Sequence, residues 1–155
     1  MHKNISKIKD LLINYGYFRR KGAPDECISK AEELLGTNFS EEYKDCLRFT
    51  NGGEFINGGV TMYAVYNKDD ECKASLLLGF ANSPENRPSN MPADYVIIGS
   101  DLLGDLICLT SNGLVILWCH ETDQVFDTYN SICELFCEFV KCSDPAYAEE
   151  IYNDT

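Results

Sequence analysis

The sequence predicts an α+β fold in which a central, mostly antiparallel sheet is flanked by N-terminal and C-terminal helices. Three short runs rich in Val, Ile and Leu, at residues 95–98, 106–109 and 114–118, are bounded by turn-forming residues and are typical of strands. Asn112-Gly113 lies between the last two runs and favours a type I′ turn, hence a hairpin. The runs are nearly continuous, so both faces of the sheet should be covered at least in part. Helical patterns lie on both sides of the strands rather than alternating with them, which is typical of α+β proteins.

Three helices are predicted before the sheet, from hydrophobic residues at helical spacing and from stop signals. The first covers residues 5–15 and ends at Gly16, and the second opens at Pro24 and ends at Gly36. The third covers residues 41–50, with Ser40 as its cap and Asn51-Gly52-Gly53 as its stop. The second helix is expected to bury a stripe formed by Ile28, Ala31, Leu34 and Leu35.

The segments between these helices and the central strands are interpreted mainly as loops. Arg19-Arg20-Lys21-Gly22 is expected to be exposed. The glycine-rich residues 52–59 contain no lysine and follow a helix, so a plain turn is favoured over a phosphate-binding loop. Residues 60–66 and 76–80 are candidate strands, and residues 82–92, with three prolines, are a loop.

After the central strands, residues 125–129 are predicted to form a short edge strand. Ser131 and Glu134 then form a capping box that begins a helix with an apolar stripe. A last short helix is predicted at residues 146–152.

Length and composition predict a single domain over residues 1–155, long enough to bury a proper core. No apolar run approaches the ~18–20 residues of a membrane span, and the N-terminus has no signal-peptide pattern, so we expect a cytoplasmic protein. Eight cysteines are scattered without a CxxC pair, which favours reduced thiols. Only His2 and His120 could add imidazole ligands, so we expect no metal site and no cofactor.

The net charge of −12 is unevenly distributed. Residues 1–23 hold six Lys/Arg against one Asp, whereas residues 121–155 hold nine carboxylates against one Lys. Such acidity repels nucleic acid and attracts a basic protein partner. The simpler alternative is that the charge only keeps the protein soluble.

The candidates for chemistry each have a structural alternative. Asp101 and Asp105 could act as an acid–base or metal-binding pair, but beside Gly104 we interpret them as turn formers. His120 could activate a cysteine, although no spacing selects one, and a structural histidine is favoured. Trp118 is expected in the core.

Tyr147 and Tyr152 are the better surface candidates among the aromatic residues, because they lie near the acidic C-terminus.

Taken together, residues 28–36, 39–44, 49–53, 97–101, 104–107 and 131–140 resemble the SUKH superfamily, the SMI1/KNR4-like domain. Ser40 departs from the proline that the family usually has before the third helix. The positions that match the family's motifs, and that we expect to be structural, are Gly36, Asn51, Gly52, Gly53, Gly99, Gly104 and Asp105.

The resemblance implies a binding protein without catalysis. In bacteria such domains are commonly immunity proteins that neutralise a toxin, often a nuclease, and in fungi they are regulatory modules. We therefore expect a basic toxin polypeptide as partner, with neither nucleic acid nor a membrane bound. The alternatives are a regulatory module acting on an endogenous partner and, third, a hydrolase that uses Asp101, Asp105 or a Cys–His pair. The exposed carboxylates expected to contact the partner are Asp69, Asp70, Glu71, Glu121, Asp123 and Asp127.

Overall fold

A seven-stranded antiparallel sheet organises the fold, and its strands lie side by side in the order of the chain. The structure, a computed structural model, describes residues 1–57, 59–144 and 146. The strands are β1 (Gly16–Arg19), β2 (Gly53–Phe55), β3 (Val60–Met62), β4 (Val96–Asp101), β5 (Leu106–Leu109), β6 (Val115–Cys119) and β7 (Gln124–Tyr129). The helices are α1 (Ile5–Tyr15), α2 (Asp25–Leu35), α3 (Glu41–Phe49), α4 (Leu78–Ala81) and α5 (Ile132–Ser143), with a 3-10 turn at Ala74–Leu76.

The predicted α+β architecture is confirmed, and so are the three central strands and the edge strand β7. The turn between β5 and β6 differs from the prediction. Thr110 and Leu114 pair through the backbone, so the loop has three residues, and of Asn112 and Gly113 only Gly113 has a positive φ, of 85°. This pattern is that of a three-residue hairpin with glycine at the left-handed position, not of a type I′ turn.

The first two strands were not anticipated. Gly16 does end α1, but β1 starts there and pairs with β2, which falls in the glycine-rich segment interpreted as a plain turn. Gly53 explains why the segment needs glycine: its φ is 143°, and a Cβ there would lie 2.3 Å from the Phe18 carbonyl oxygen. Arg19 is exposed, as expected, but it is the last residue of β1, so the prediction of a loop at 19–22 is wrong at that residue.

Two other candidate strands need correction. The strand predicted at residues 60–66 ends at Met62. Residues 76–80 form no strand, because the Ala81 and Asn82 amides donate to the Leu77 and Leu78 carbonyls within the short helix α4. The predicted last helix, 146–152, falls outside the described residues apart from Ala146, and Tyr147 and Tyr152 lie outside them too.

Helices cover one face of the sheet and a loop covers part of the other. Ile107 and Leu109 of β5 belong to the larger core, together with apolar residues of α1, α3 and α5. Cys108 and Trp118 point to the opposite face, where they pack with Met91 and neighbours in a second, smaller core. Trp118 is thus a core residue, as predicted.

The second helix buries less than predicted. Ile28 is buried and Ala31 and Leu35 are half-buried, but Leu34 is 75% exposed. It lies beside α4 instead, in an open apolar groove of about 450 Å³ between the two helices.

A buried carboxylate joins three helices. Glu42 of α3 is 4% exposed and accepts hydrogen bonds from the Ile132 and Cys133 amides, at 2.9 and 3.4 Å, at the start of α5. It also accepts one from Asn4 Nδ2, at 2.9 Å, at the start of α1. A negative charge at a helix N-terminus is stabilised by the unpaired amides and the helix dipole. Glu42 therefore sets the position of α5 relative to α1 and α3.

A buried amide anchors the residue after the C-terminal end of α3 to the segment that follows β3. Asn51 is fully buried, and its side chain exchanges two hydrogen bonds with the Val65 backbone, at 2.9 and 3.0 Å. Its Nδ2 also donates to Asp70 at 3.1 Å, and Asp70 forms an ion pair with Arg20 at 2.7 Å. Arg20, expected to be exposed, is mostly buried by this pairing.

We predict that Glu42→Gln lowers the free energy of unfolding by about 2 kcal/mol, because the glutamine amide group replaces an acceptor oxygen facing backbone donors. Glu41→Gln is the matched control on the same helix; its side chain is 67% exposed, so a change within about 0.5 kcal/mol is expected. Urea unfolding followed by circular dichroism measures both. Equal losses in the two variants would contradict the role assigned to Glu42.

We predict that Asn51→Leu costs about 2–3 kcal/mol, because the Val65 amide and carbonyl then lose their side-chain partner while buried. Asn38→Leu, at an exposed position, serves as control and should change stability by less than about 0.5 kcal/mol. The same unfolding measurement applies. A fully stable Asn51→Leu variant would show that the Val65 contacts are dispensable.

Candidate functional site

A large concave feature lies beside the edge strand β7, and we call it the acidic groove. Its volume is about 600 Å³. The β4–β5 turn, the end of β6, the strand β7 and the C-terminal half of α5 enclose it. It is lined by Asp101, Leu103, Asp105, Leu117, Cys119, His120, Glu121, Phe126, Asp127, Tyr129, Glu138, Phe139 and Cys142.

Exposed apolar side chains form the walls of the groove. Leu103 in the β4–β5 turn is 75% exposed and Phe126 on β7 is 69% exposed. Phe126 lies at a bulge: Leu117 pairs with Asp127 and Trp118 with Val125, which leaves Phe126 without a partner residue on β6. Bulges redirect side chains at sheet edges. Large exposed apolar residues gathered at one place are typical of a binding surface.

Carboxylates surround these apolar walls. Among the described residues, the lining holds five Asp or Glu side chains and no Lys or Arg. Burial raises the pKa of Tyr129 to about 12, together with the charges of Asp127 and Glu138 and a hydrogen bond to Asp127. Two acidic side chains from different elements, β7 and α5, thus act on the same point of the groove.

The two aspartates considered for acid–base chemistry have separate structural tasks. Asp101 Oδ1 accepts from the Leu103 and Asp105 amides, both at 2.9 Å, which confirms it as a turn former. Asp105 Oδ1 accepts from the His120 amide at 3.0 Å and lies 2.8 Å from His120 Nδ1. Burial opposes ionisation of Asp105, but the hydrogen bonds and charge of His120 outweigh it and hold its pKa below the ordinary value.

The Asp105–His120 pair ties the start of β5 to the end of β6. The imidazole lies over Gly104, where a Cβ would be 3.7 Å from the ring. An Asp–His pair is the orienting half of a catalytic triad. Within the part of the chain that the structure describes, however, the ring's hydrogen-bonding partner is Asp105, and no nucleophile is bonded to it.

The second predicted acidic cluster lies at the groove. Glu121 and Asp127 are exposed and line it. Asp123 is also exposed but belongs to the β6–β7 turn, where its φ is 56° and its carboxylate accepts from Trp118 Nε1 at 3.4 Å. The structure therefore brings two of these three carboxylates to the groove and leaves the third outside its lining.

The first predicted acidic cluster lies elsewhere. Asp69 and Glu71 are exposed, whereas Asp70 is paired with Arg20 and Asn51. Arg20 directly follows β1, the edge strand opposite β7. Five strands lie between β1 and β7, so the two edges are at opposite ends of the sheet. The two clusters therefore do not form one compact site.

Three of the glycines expected to be structural lie at a positive φ or in close contact with a neighbouring strand. Gly36 ends α2 with a φ of 63°, and Gly52 follows α3 with a φ of 75°. Gly99 lies in β4, where a Cβ would meet the Thr61 carbonyl oxygen at 2.4 Å. Of the remaining motif residues, Asn51 bonds Val65 and Gly53 lies against Phe18. Asp105 bonds His120, whose ring lies over Gly104.

The sequence did not point to the aromatic and aliphatic part of the site. The sequence places Phe126 in a predicted edge strand and Leu103 in a predicted turn, and it indicates a binding role for neither. One signal could have been used, because Leu102 and Leu103 are an apolar pair inside a tight connection, where polar residues are usual.

The described residues contain no group of three or more His, Cys, Asp or Glu side chains that could hold a metal ion. All eight cysteines are free thiols. None of the helices described is long and apolar enough to cross a membrane.

Comparison with known proteins identifies the family. A crystal structure of a protein from Pseudomonas syringae pv. tomato is similar, with a TM-score of 0.57 and 16% identity, covering 86% of this chain and 93% of that chain. That likeness supports the fold alone. No curated protein matches the sequence. The family model SMI1 / KNR4 family (SUKH-1) matches residues 22–138, and the chain therefore belongs to that family.

Proposed function

We propose that the protein is a cytoplasmic immunity protein that binds a cognate, basic bacterial toxin and neutralises it by stoichiometric association. The observation that carries this proposal is the acidic groove, with exposed apolar walls and a rim of carboxylates. Membership of the SMI1/KNR4 family supports a protein–protein interaction role.

The groove has the two components that tight association needs. Exposed apolar residues such as Phe126 and Leu103 lose water on binding, and buried aromatic anchors supply most of the affinity of an interface. Glu121 and Asp127 at the rim attract a basic partner and exclude an acidic one. The net charge of −12 extends the attraction and raises the association rate.

Binding rather than catalysis accounts for the polar residues of the groove. Asp101 Oδ1 closes a turn and Asp105 Oδ1 holds His120, so each carboxylate has a structural role that requires no catalysis. Neutralisation would follow from covering the active site of the toxin, which requires no chemistry from this chain.

The regulatory alternative uses the same kind of surface, and the identity of the partner distinguishes the two functions. The full-length protein is used as bait in the native cell, at low and moderate salt. Immunity predicts one stoichiometric partner that carries a toxin domain, whose activity in vitro falls to zero at equimolar bait. Several endogenous signalling or envelope proteins would instead indicate a regulatory module.

We predict that the double variant Glu121→Lys/Asp127→Lys weakens binding of that toxin by about a hundredfold, mainly through a slower association rate. The dependence of affinity on salt should become shallower between roughly 0.05 and 0.3 M. Surface plasmon resonance gives both quantities.

The matched control is Asp69→Lys/Glu71→Lys, which makes the same change of charge near the opposite edge of the sheet. We expect a loss of less than about fivefold, from the change in net charge alone. Equal losses in the two double variants would mean that only net charge matters and that the acidic groove is not the binding surface.

A further inference from the structure

We propose that the acidic groove receives an arginine side chain carried on a protruding segment of the partner protein. This inference rests on the proposed function and specifies the chemistry by which the same site would recognise its partner.

The groove combines an apolar channel with charged oxygen atoms, which suits a long side chain with a charged end. Phe126 of β7 and Phe139 of α5 line it from two sides, and Leu117 lies at its base. Asp127 is paired with Leu117 across the strands, so the two side chains lie on the same face of the sheet. The aliphatic part of a long cation can therefore contact the rings while its charged group reaches a carboxylate.

The chemistry favours arginine over lysine. A guanidinium group is planar, stacks on aromatic rings and binds carboxylates through two parallel hydrogen bonds, whereas the ammonium group of lysine is more strongly hydrated. The lining of the groove supplies both kinds of partner, namely the rings of Phe126 and Phe139 and the carboxylates of Asp127 and Glu138.

The edge strand itself is poorly suited to pairing with a strand of the partner. Its bulge at Phe126 and the charge at Asp127 are features that prevent edge-to-edge association of sheets. The volume of about 600 Å³ instead accommodates the tip of a loop together with the inserted side chain.

The test uses n-butylguanidinium as a mimic of the arginine side chain, with the full-length protein labelled with ¹⁵N for NMR titration. We expect saturable shifts confined to β7, the β4–β5 turn and α5, with a Kd on the order of 10 mM for so small a probe. The probe n-butylammonium, a mimic of lysine, should bind about threefold or more weakly.

Two variants test the contacts. Phe126→Ser and Asp127→Asn are each expected to weaken binding of n-butylguanidinium by about fivefold or more. Tyr66→Ser and Asp69→Asn are the matched controls, since they change an exposed aromatic residue and an exposed carboxylate away from the groove, and should leave the Kd unchanged. Circular dichroism confirms that all four variants are folded.

Shifts spread evenly over the acidic surface, or equal binding of the two cations, would overturn the assignment of arginine. The proposed function fails separately, if the pull-down yields no toxin that the original protein neutralises. A Glu121→Lys/Asp127→Lys variant that still neutralises such a toxin would show that the acidic groove is not the binding surface. If that variant loses toxin binding but the original protein shows no saturable binding of n-butylguanidinium, only the inference made here is overturned.

Discussion

The buried carboxylate of Glu42 is the contact on which the arrangement of the helical layer depends. It accepts hydrogen bonds at the first turn of α5 and from Asn4 before α1, so one negative charge orients three helices at once. The C-terminal half of α5 forms a wall of the acidic groove. With 12 residues, the helix transmits this placement over about 18 Å. The shape of the proposed binding surface is thus set by a contact at the far end of the same helix.

The order of the strands explains how the uneven charge of the chain becomes a property of its surface. Because the strands lie in sequence order, the basic N-terminal segment adjoins β1 and the acidic segment after β6 adjoins β7. Arg19 and Lys21 are exposed near one edge, and Glu121 and Asp127 near the other. Asp69 and Glu71 are also exposed near the β1 edge, so that edge carries charges of both signs, whereas the lining of the groove at β7 holds carboxylates and no Lys or Arg among the described residues. The basic partner proposed above would be attracted to the β7 edge.

How much the sequence could predict differed along the chain, for physical reasons. The residues between Val96 and Ser143 carry strong local signals, namely apolar runs and a capping box, and their strands and helix were predicted closely. The strands β1 and β2 pair with each other. Gly53 has a φ of 143° and lies against the Phe18 backbone, a contact that local sequence does not indicate. Residues 76–80 are a short apolar run without a clear hydrophobic periodicity. Such a run is compatible with either a strand or a helix.

For the candidate site, charge was predictable and shape was not. Glu121 and Asp127 were expected at a partner surface from the family resemblance and the charge of the chain, whereas Phe126 and Leu103 join them in the groove because of a bulge and a turn. Asp70 shows the converse, because its ion pair with Arg20 spans 50 residues and leaves no trace in local sequence.

The exposure of β7 has a consequence for how this protein can change over generations. Every residue of the strand before Tyr129 is exposed. Substitutions at exposed positions usually alter stability by less than about 0.5 kcal/mol. The groove can therefore acquire new specificity one replacement at a time, while each intermediate remains folded. Under the function proposed above, this separation of a constant core from variable exposed positions would let the protein keep binding a toxin whose own surface changes.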